Sequence, residues 1–167
     1  MNLDILTPKG QKTLIQEQRL LEIASSHLSR TVSYPVSNIE TPKARAAKCD
    51  GFFVNPDNEI VALYECKCRT LTEQDLIKFD SAILTEEKLI QCCVLSTYLC
   101  VPFLFLFYLV PDDIAYYWKM TDEKGQILVP YTVEETRTQR TVNGGSAVRK
   151  NAYLPVKFAI KMNPLPF

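Results

Sequence analysis

Asp50, Glu65 and Lys67 are the residues of this chain whose types and spacing could carry out hydrolytic chemistry. They lie on two short apolar runs, residues 49–55 and 60–68, joined by Pro56-Asp57-Asn58-Glu59, a strong turn sequence for a β-hairpin. If the turn centres on Asp57-Asn58, Asn55 pairs with Ile60, and counting outward along an antiparallel ladder sets Asp50 opposite Glu65. Lys67 shares the parity of Glu65, so its ammonium emerges on the same face one step along. Directly opposed carboxylates destabilise a sheet, so this pairing calls for a cation. Hard oxygen donors suit Mg²⁺ or Mn²⁺, which are commonly held by one or two carboxylates together with waters and substrate phosphate oxygens. A lysine beside such an ion can orient or help deprotonate its water, which is the equipment of a phosphodiesterase.

The flanking elements must hold that hairpin. Residues 11–28 place Leu14, Leu20, Leu21, Ile23, Ala24 and Leu28 at helical spacing behind Thr7 and Pro8, so a first helix is predicted there. Residues 31–37 are β-prone, and residues 38–48 read as a polar, basic loop. After the hairpin the period changes, predicting helices over 71–79 and 85–101 and an apolar strand from Phe103. Further strands are expected over 114–120, over 127–133 around a Lys124-Gly125 turn, and over 154–162. Residues 136–150 are polar, contain Gly144-Gly145, and are predicted to form a mobile loop.

The pattern Asp50-x14-Glu65-Cys66-Lys67, on a hairpin preceded by a helix and followed by a helix and an apolar strand, resembles the PD-(D/E)xK (restriction-endonuclease-like) nuclease superfamily. The resemblance spans residues 14–110. It implies an α/β fold with an αβββαβ core, a mixed central sheet and a helix on each face. It also implies Mg²⁺-dependent or Mn²⁺-dependent hydrolysis of DNA. In that family the aspartate and glutamate bind metal, the carbonyl between glutamate and lysine often adds a ligand, and the lysine assists the nucleophilic water. Those roles fall on Asp50, Glu65, the Cys66 backbone and Lys67. Cys49 stands where a proline often precedes the aspartate. Many members also aim a first-helix glutamate at the site. Glu17 and Glu22 compete for this role, and Glu17 is better phased with Leu20, Ala24 and Leu28. Some members use a polar residue on the helix after the lysine, which Lys88 and Gln91 fit by position. The rival reading is the same fold retained as a catalytically inactive scaffold or assembly protein.

Composition narrows the partners. Lys plus Arg and Asp plus Glu number 19 each, so there is no bulk charge to draw in nucleic acid, and phosphate contacts must be local. Lys43, Arg45 and Lys48 before the hairpin, Arg69 after it, and the basic residues from Arg137 to Lys150 are the candidates. The six cysteines lie in apolar surroundings without zinc-knuckle spacing, as expected of reduced thiols in a cytoplasmic protein. One histidine, His27, leaves no credible catalytic triad, and no Gly-rich phosphate loop is present. Residues 89–110 carry no charge, but Pro102 divides them into a buried helix and a strand, so no membrane span is expected. At 167 residues a single domain is expected, and a homodimer is left open.

Overall fold

A computed structural model, which describes residues 7–43, 47–140 and 146–162, contains two sheets and three α-helices among those residues. The chain runs α1 (Pro8–Val32), β1 (Ser37–Glu40), β2 (Gly51–Val54), β3 (Ile60–Arg69), α2 (Glu73–Phe79), β4 (Ser81–Thr85), α3 (Glu86–Leu99) and β5 (Phe103–Leu109). It continues through β6 (Ile114–Lys119), β7 (Thr132–Arg140), β8 (Ser146–Pro155) and β9 (Ile160–Met162). The larger sheet is mixed, in the order β1-β2-β3-β5-β6-β9, with β3 and β5 parallel and its other neighbours antiparallel. The smaller sheet is antiparallel, in the order β4-β8-β7.

Local chemistry sets the element ends. Thr7 caps α1 by accepting the Gly10 N–H, and Pro8 sits in the first turn, where a missing N–H costs nothing. The helix runs four residues beyond the predicted 28, through Val32, and Ser33 ends it with a left-handed backbone. Thr72 and Asp75 form a reciprocal capping box on α2. Cys100 closes α3 in the left-handed region.

The uncharged stretch resolves into the end of α3 and all of β5. Each residue of β5 is buried, and the strand feeds two cores by alternation. Phe103, Phe105, Phe107 and Leu109 pack with Trp118, with Leu89 and Cys92 of α3, and with Leu84, Ala152 and Leu154 of the smaller sheet. Leu104, Leu106 and Tyr108 pack with Leu20, Leu21, Ile23 and Ala24 of α1. A strand buried on both faces reads as a continuous apolar run, which explains the pattern without a bilayer. Among the described residues no helix is long and apolar enough to cross a membrane.

Several expectations are corrected. The segment 81–84, unassigned from sequence, is strand β4, whose partner β8 lies about seventy residues later, so no local pattern announces it. Residues 136–150 are not a loop throughout, because β7 and β8 pair as a hairpin from Thr132↔Tyr153 to Arg140↔Ser146. Of the strand expected over 127–133, Thr132 and Val133 open β7, while Ile127 makes an isolated bridge to Thr121 across a turn in which Asp122 Oδ1 accepts the Lys124 and Gln126 N–H groups. The last predicted strand is split by a 3-10 turn at Val156–Phe158. Part of the loop expected over 38–48 is instead the end of β1.

Candidate active site

Strand β3 sorts its side chains by parity. Ala62, Tyr64 and Cys66 face α1, whereas Leu63 and Glu65 face the core that contains α3. Glu65 is 1% exposed, and that burial pushes its carboxyl up from its ordinary value, as does the nearby charge of Asp50. Lys67 and Lys88 oppose the shift. Lys67 Nζ donates to Glu65 Oε1 at 2.8 Å and Lys88 Nζ to Oε2 at 3.2 Å, so both oxygens of the buried carboxylate meet an ammonium. Burial works against the charge on Lys67, but Glu65 and Asp50 outweigh it and hold its pKa above the usual value.

Asp50 reaches the same point from the edge of the ladder. Strand pairing of β2 with β3 ends at Gly51↔Tyr64, the register expected from the turn. The turn itself is one residue longer than predicted, with Val54 rather than Asn55 opposite Ile60, and a bulge after Phe53 restores the count. Beyond Gly51, the Asp50 N–H donates to the Tyr64 carbonyl at 3.0 Å. The Asp50 Oδ2 then accepts the Cys66 N–H at 2.8 Å. The carboxylate thus stands where the next backbone acceptor of the ladder would be, fixed against the peptide between Glu65 and Lys67. Thr41 secures the segment by donating its N–H to the Asp50 carbonyl at 2.8 Å and its hydroxyl to the Cys49 carbonyl at 2.9 Å.

Gly51 makes this approach possible. A Cβ there would fall 2.5 Å from the Ile39 carbonyl oxygen and closer still to the Tyr64 hydroxyl. Gly51 was not singled out from sequence, and Lys88 was named only by its position on the helix, beside Gln91, without its contact to Glu65. An Asp-Gly pair at a strand start was the available signal for the first, and Lys88 at the third position of a helix, where a cation opposes the dipole, was the signal for the second.

Glu17 is tied to the site through an intermediary. Its Oε2 accepts from Lys43 Nζ at 2.9 Å, and Lys43 also feels the charge of Asp50. Burial lowers the Lys43 pKa, but the acids around it, Glu17 first, leave it raised overall. Glu22 instead pairs with Arg19 at 3.7 Å and is largely exposed. Gln91 donates to Glu87 on its own helix at 3.1 Å and takes no part in the carboxylate cluster. Lys48 is exposed, and its carbonyl accepts from Cys92 Sγ at 3.4 Å. Arg69 NH1 donates to the Cys68 carbonyl at 3.2 Å. Arg45 lies outside the described residues, and Arg137, Arg149 and Lys150 are exposed along β7 and β8. His27 packs beside Tyr117, with ring centroids 5.7 Å apart, and burial lowers its pKa.

Two carboxylates and one backbone carbonyl form a hard-donor set of the kind that Mg²⁺ accepts while keeping waters. Among the described residues, no group of three or more His, Cys, Asp or Glu side chains is gathered to hold a metal ion. Any ion here would therefore rest on Asp50, Glu65, the Cys66 carbonyl and solvent. No protein-family model matches the chain, and no curated protein or solved structure matches it.

Proposed function

We propose that this chain is a metal-dependent nuclease of the PD-(D/E)xK kind, hydrolysing DNA phosphodiester bonds with Asp50, Glu65 and Lys67. The observation that carries the proposal is the clamping of Asp50 Oδ2 onto the Cys66 N–H at 2.8 Å. It draws both carboxylates and the lysine to one end of β3 although fourteen residues separate Asp50 from Glu65. Apart from the intervening α2 and β4, the path from α1 through β1, β2 and β3 to α3 and a β5 parallel to β3 follows the order that the αβββαβ resemblance implies, which supports the reading.

Asp50, Glu65 and the Cys66 carbonyl would hold Mg²⁺ or Mn²⁺, with Glu17 acting at one remove through Lys43. When bound, such an ion makes water more acidic and offsets charge developing on the phosphate. The chain's own groups do the rest. The Cys66 N–H fixes the Asp50 carboxylate, Lys67 orients Glu65, and the Lys67 ammonium, which is 27% exposed, can turn to a phosphate oxygen or a water. Phosphate contacts along the duplex would fall to Lys43, Lys48, Arg69 and the exposed bases of β7 and β8.

The test is cleavage of plasmid, linear, single-stranded and branched DNA with Mg²⁺ or Mn²⁺, comparing wild type with Glu65→Gln and Lys67→Ala. The proposal requires metal-dependent cutting that both variants lose. The complete saturation of Glu65 by two ammonium groups favours one other reading, an inactive scaffold whose carboxylates serve folding. Absence of cutting on every substrate, together with absence of metal binding that depends on Asp50 and Glu65, would establish that reading instead.

A further inference from the structure

Lys88 occupies an unfavourable position unless something holds it there. It lies in the first turn of α3, where the helix dipole repels a cation and where Glu86 and Glu87 are the expected residues. Its Nζ bridges two elements, donating to Glu65 Oε2 at 3.2 Å and to the Ala47 carbonyl at 2.9 Å. One turn along the helix, Cys92 donates to the Lys48 carbonyl at 3.4 Å, so α3 grips the segment that leads into Asp50.

The charge balance gives this bridge a meaning beyond packing, on the premise that the site is the nuclease centre proposed above. Asp50 and Glu65 contribute two negative charges, and Lys67 and Lys88 contribute two positive ones, so the cluster is neutral before any ion arrives. A divalent cation that uses Glu65 must compete with an ammonium. Lys67 is two residues from Glu65 on the same strand and stays close whatever it contacts. The two ammonium groups are about equally accessible, 27% and 28% exposed, but Lys88 comes from another element and keeps the Ala47 carbonyl as a second partner, so it can leave Glu65 without becoming unpaired. A nucleic-acid phosphate entering the site offers it an anionic partner outside the protein.

We propose that Lys88 is the resident counter-ion of Glu65, holding divalent-metal affinity low in the free protein until a nucleic-acid phosphate draws its ammonium away. Metal and nucleic acid then bind cooperatively, each tightening the other by the same factor. This role has an opposite sign from a structural one. Removing the Lys88 charge tightens metal binding by the free protein, whereas loss of a merely structural lysine loosens it.

The experiment is Mn²⁺ binding, followed by electron paramagnetic resonance, to wild type, Lys88→Gln and Lys88→Arg, with and without a phosphorothioate duplex that resists cleavage. Gln retains a donor for the Ala47 carbonyl, and thermal melting checks that each variant is folded; Lys88→Met serves if Gln is not. The expected result is wild-type Mn²⁺ affinity that rises by roughly tenfold or more with duplex, within the usual range of such couplings. The Gln variant should bind Mn²⁺ that tightly without duplex and gain little from it, while Arg preserves the coupling. Mn²⁺ affinity that is unchanged or weakened in folded Lys88→Gln, with wild type cutting DNA, overturns the counter-ion role and leaves the nuclease reading intact. Wild type that neither binds Mn²⁺ with duplex nor cuts DNA overturns both.

Discussion

Replacing Gly51 by alanine should damage the site out of proportion to its effect on the fold. The new methyl would lie 2.5 Å from the Ile39 carbonyl oxygen and against the Tyr64 ring, and two of the three nearest atoms belong to a side chain that is fully buried. Neither neighbour can give way cheaply, so β2 must shift, at a cost of about 1–3 kcal/mol for overpacking. In a chain of this size that lowers the melting temperature by about 2–4 °C per kcal/mol. The shift falls on the residue next to Asp50, whose carboxylate is held by a 2.8 Å bond from the Cys66 N–H. Gly125→Ala is the comparison. It meets the Thr97 side chain and forces an alanine to φ +77°, a strain of about 1–2 kcal/mol, at a turn remote from the carboxylates in the hydrogen-bonding scheme. Melting curves and metal-dependent DNA cleavage are measured for both, with cleavage assayed at least 15 °C below either transition. The expectation is comparable stability loss, with cleavage lost by at least roughly tenfold in Gly51→Ala alone, as a displaced reacting group implies. Equal cleavage by the two variants would refute the argument that Gly51 exists to admit Asp50.

Glu17→Gln should reduce cleavage less than Glu65→Gln, because its described contact is to Lys43 and not to the central carboxylates; steady-state rates at fixed metal concentration compare them. Arg19 holds the Asp113 carboxyl below the usual range, helped by the Tyr108 hydroxyl. That stabilisation is present above the unfolded-chain pKa of about 3.9 and is lost as pH falls through the lower folded value. Asp113→Asn should therefore lose up to about 1 kcal/mol in urea unfolding at pH 7, given how exposed the pair is, and progressively less below pH 4. Of the six thiols, Cys100 alone is exposed, while burial pushes Cys49 and Cys93 up to about 11 and Cys68 to about 12. Reaction with a disulfide reagent at pH 7.5 should consume one thiol rapidly in the native protein and six after denaturation.

The parts of the site that were legible from sequence were those fixed by local chemistry. Asn55 explains the hairpin, since its side-chain oxygen accepts the Asp57 and Glu59 N–H groups in a turn that any register must respect. The register at the carboxylates followed correctly even though the bulge between Phe53 and Val54 did not, because the bulge offsets a turn one residue longer than counted. Face-to-face opposition of Asp50 and Glu65 was too simple. The ladder gives out at Gly51, and the Asp50 side chain turns onto the Cys66 N–H, which strand parity alone does not reveal. The smaller sheet was hidden for a different reason: β4 finds β8 across most of the chain, and the polar residues of β7 and β8 suggest a loop because so much of that hairpin faces water. Lys88 and Gln91 fitted the same role by position, and only tertiary packing separates them, turning Lys88 onto Glu65 and leaving Gln91 on its own helix.

The complete burial of β5 constrains how the chain can be made. Its seven residues, Phe-Leu-Phe-Leu-Phe-Tyr-Leu, are uncharged, rich in β-formers and free of proline, which is the profile of a segment that associates with copies of itself when uncovered. Its parallel partner β3 is synthesised first, but pairing must wait for the whole α2-β4-α3 crossover to fold, whereas β6 follows after only a short 3-10 turn. Antiparallel closure with β6 is the rapid event available to shield it, so β6 acts as a built-in guard during synthesis. Substitutions that delay that closure, such as proline within residues 114–119, should appear first as insoluble product at high expression rates, before any change in the chemistry of the folded protein can be measured.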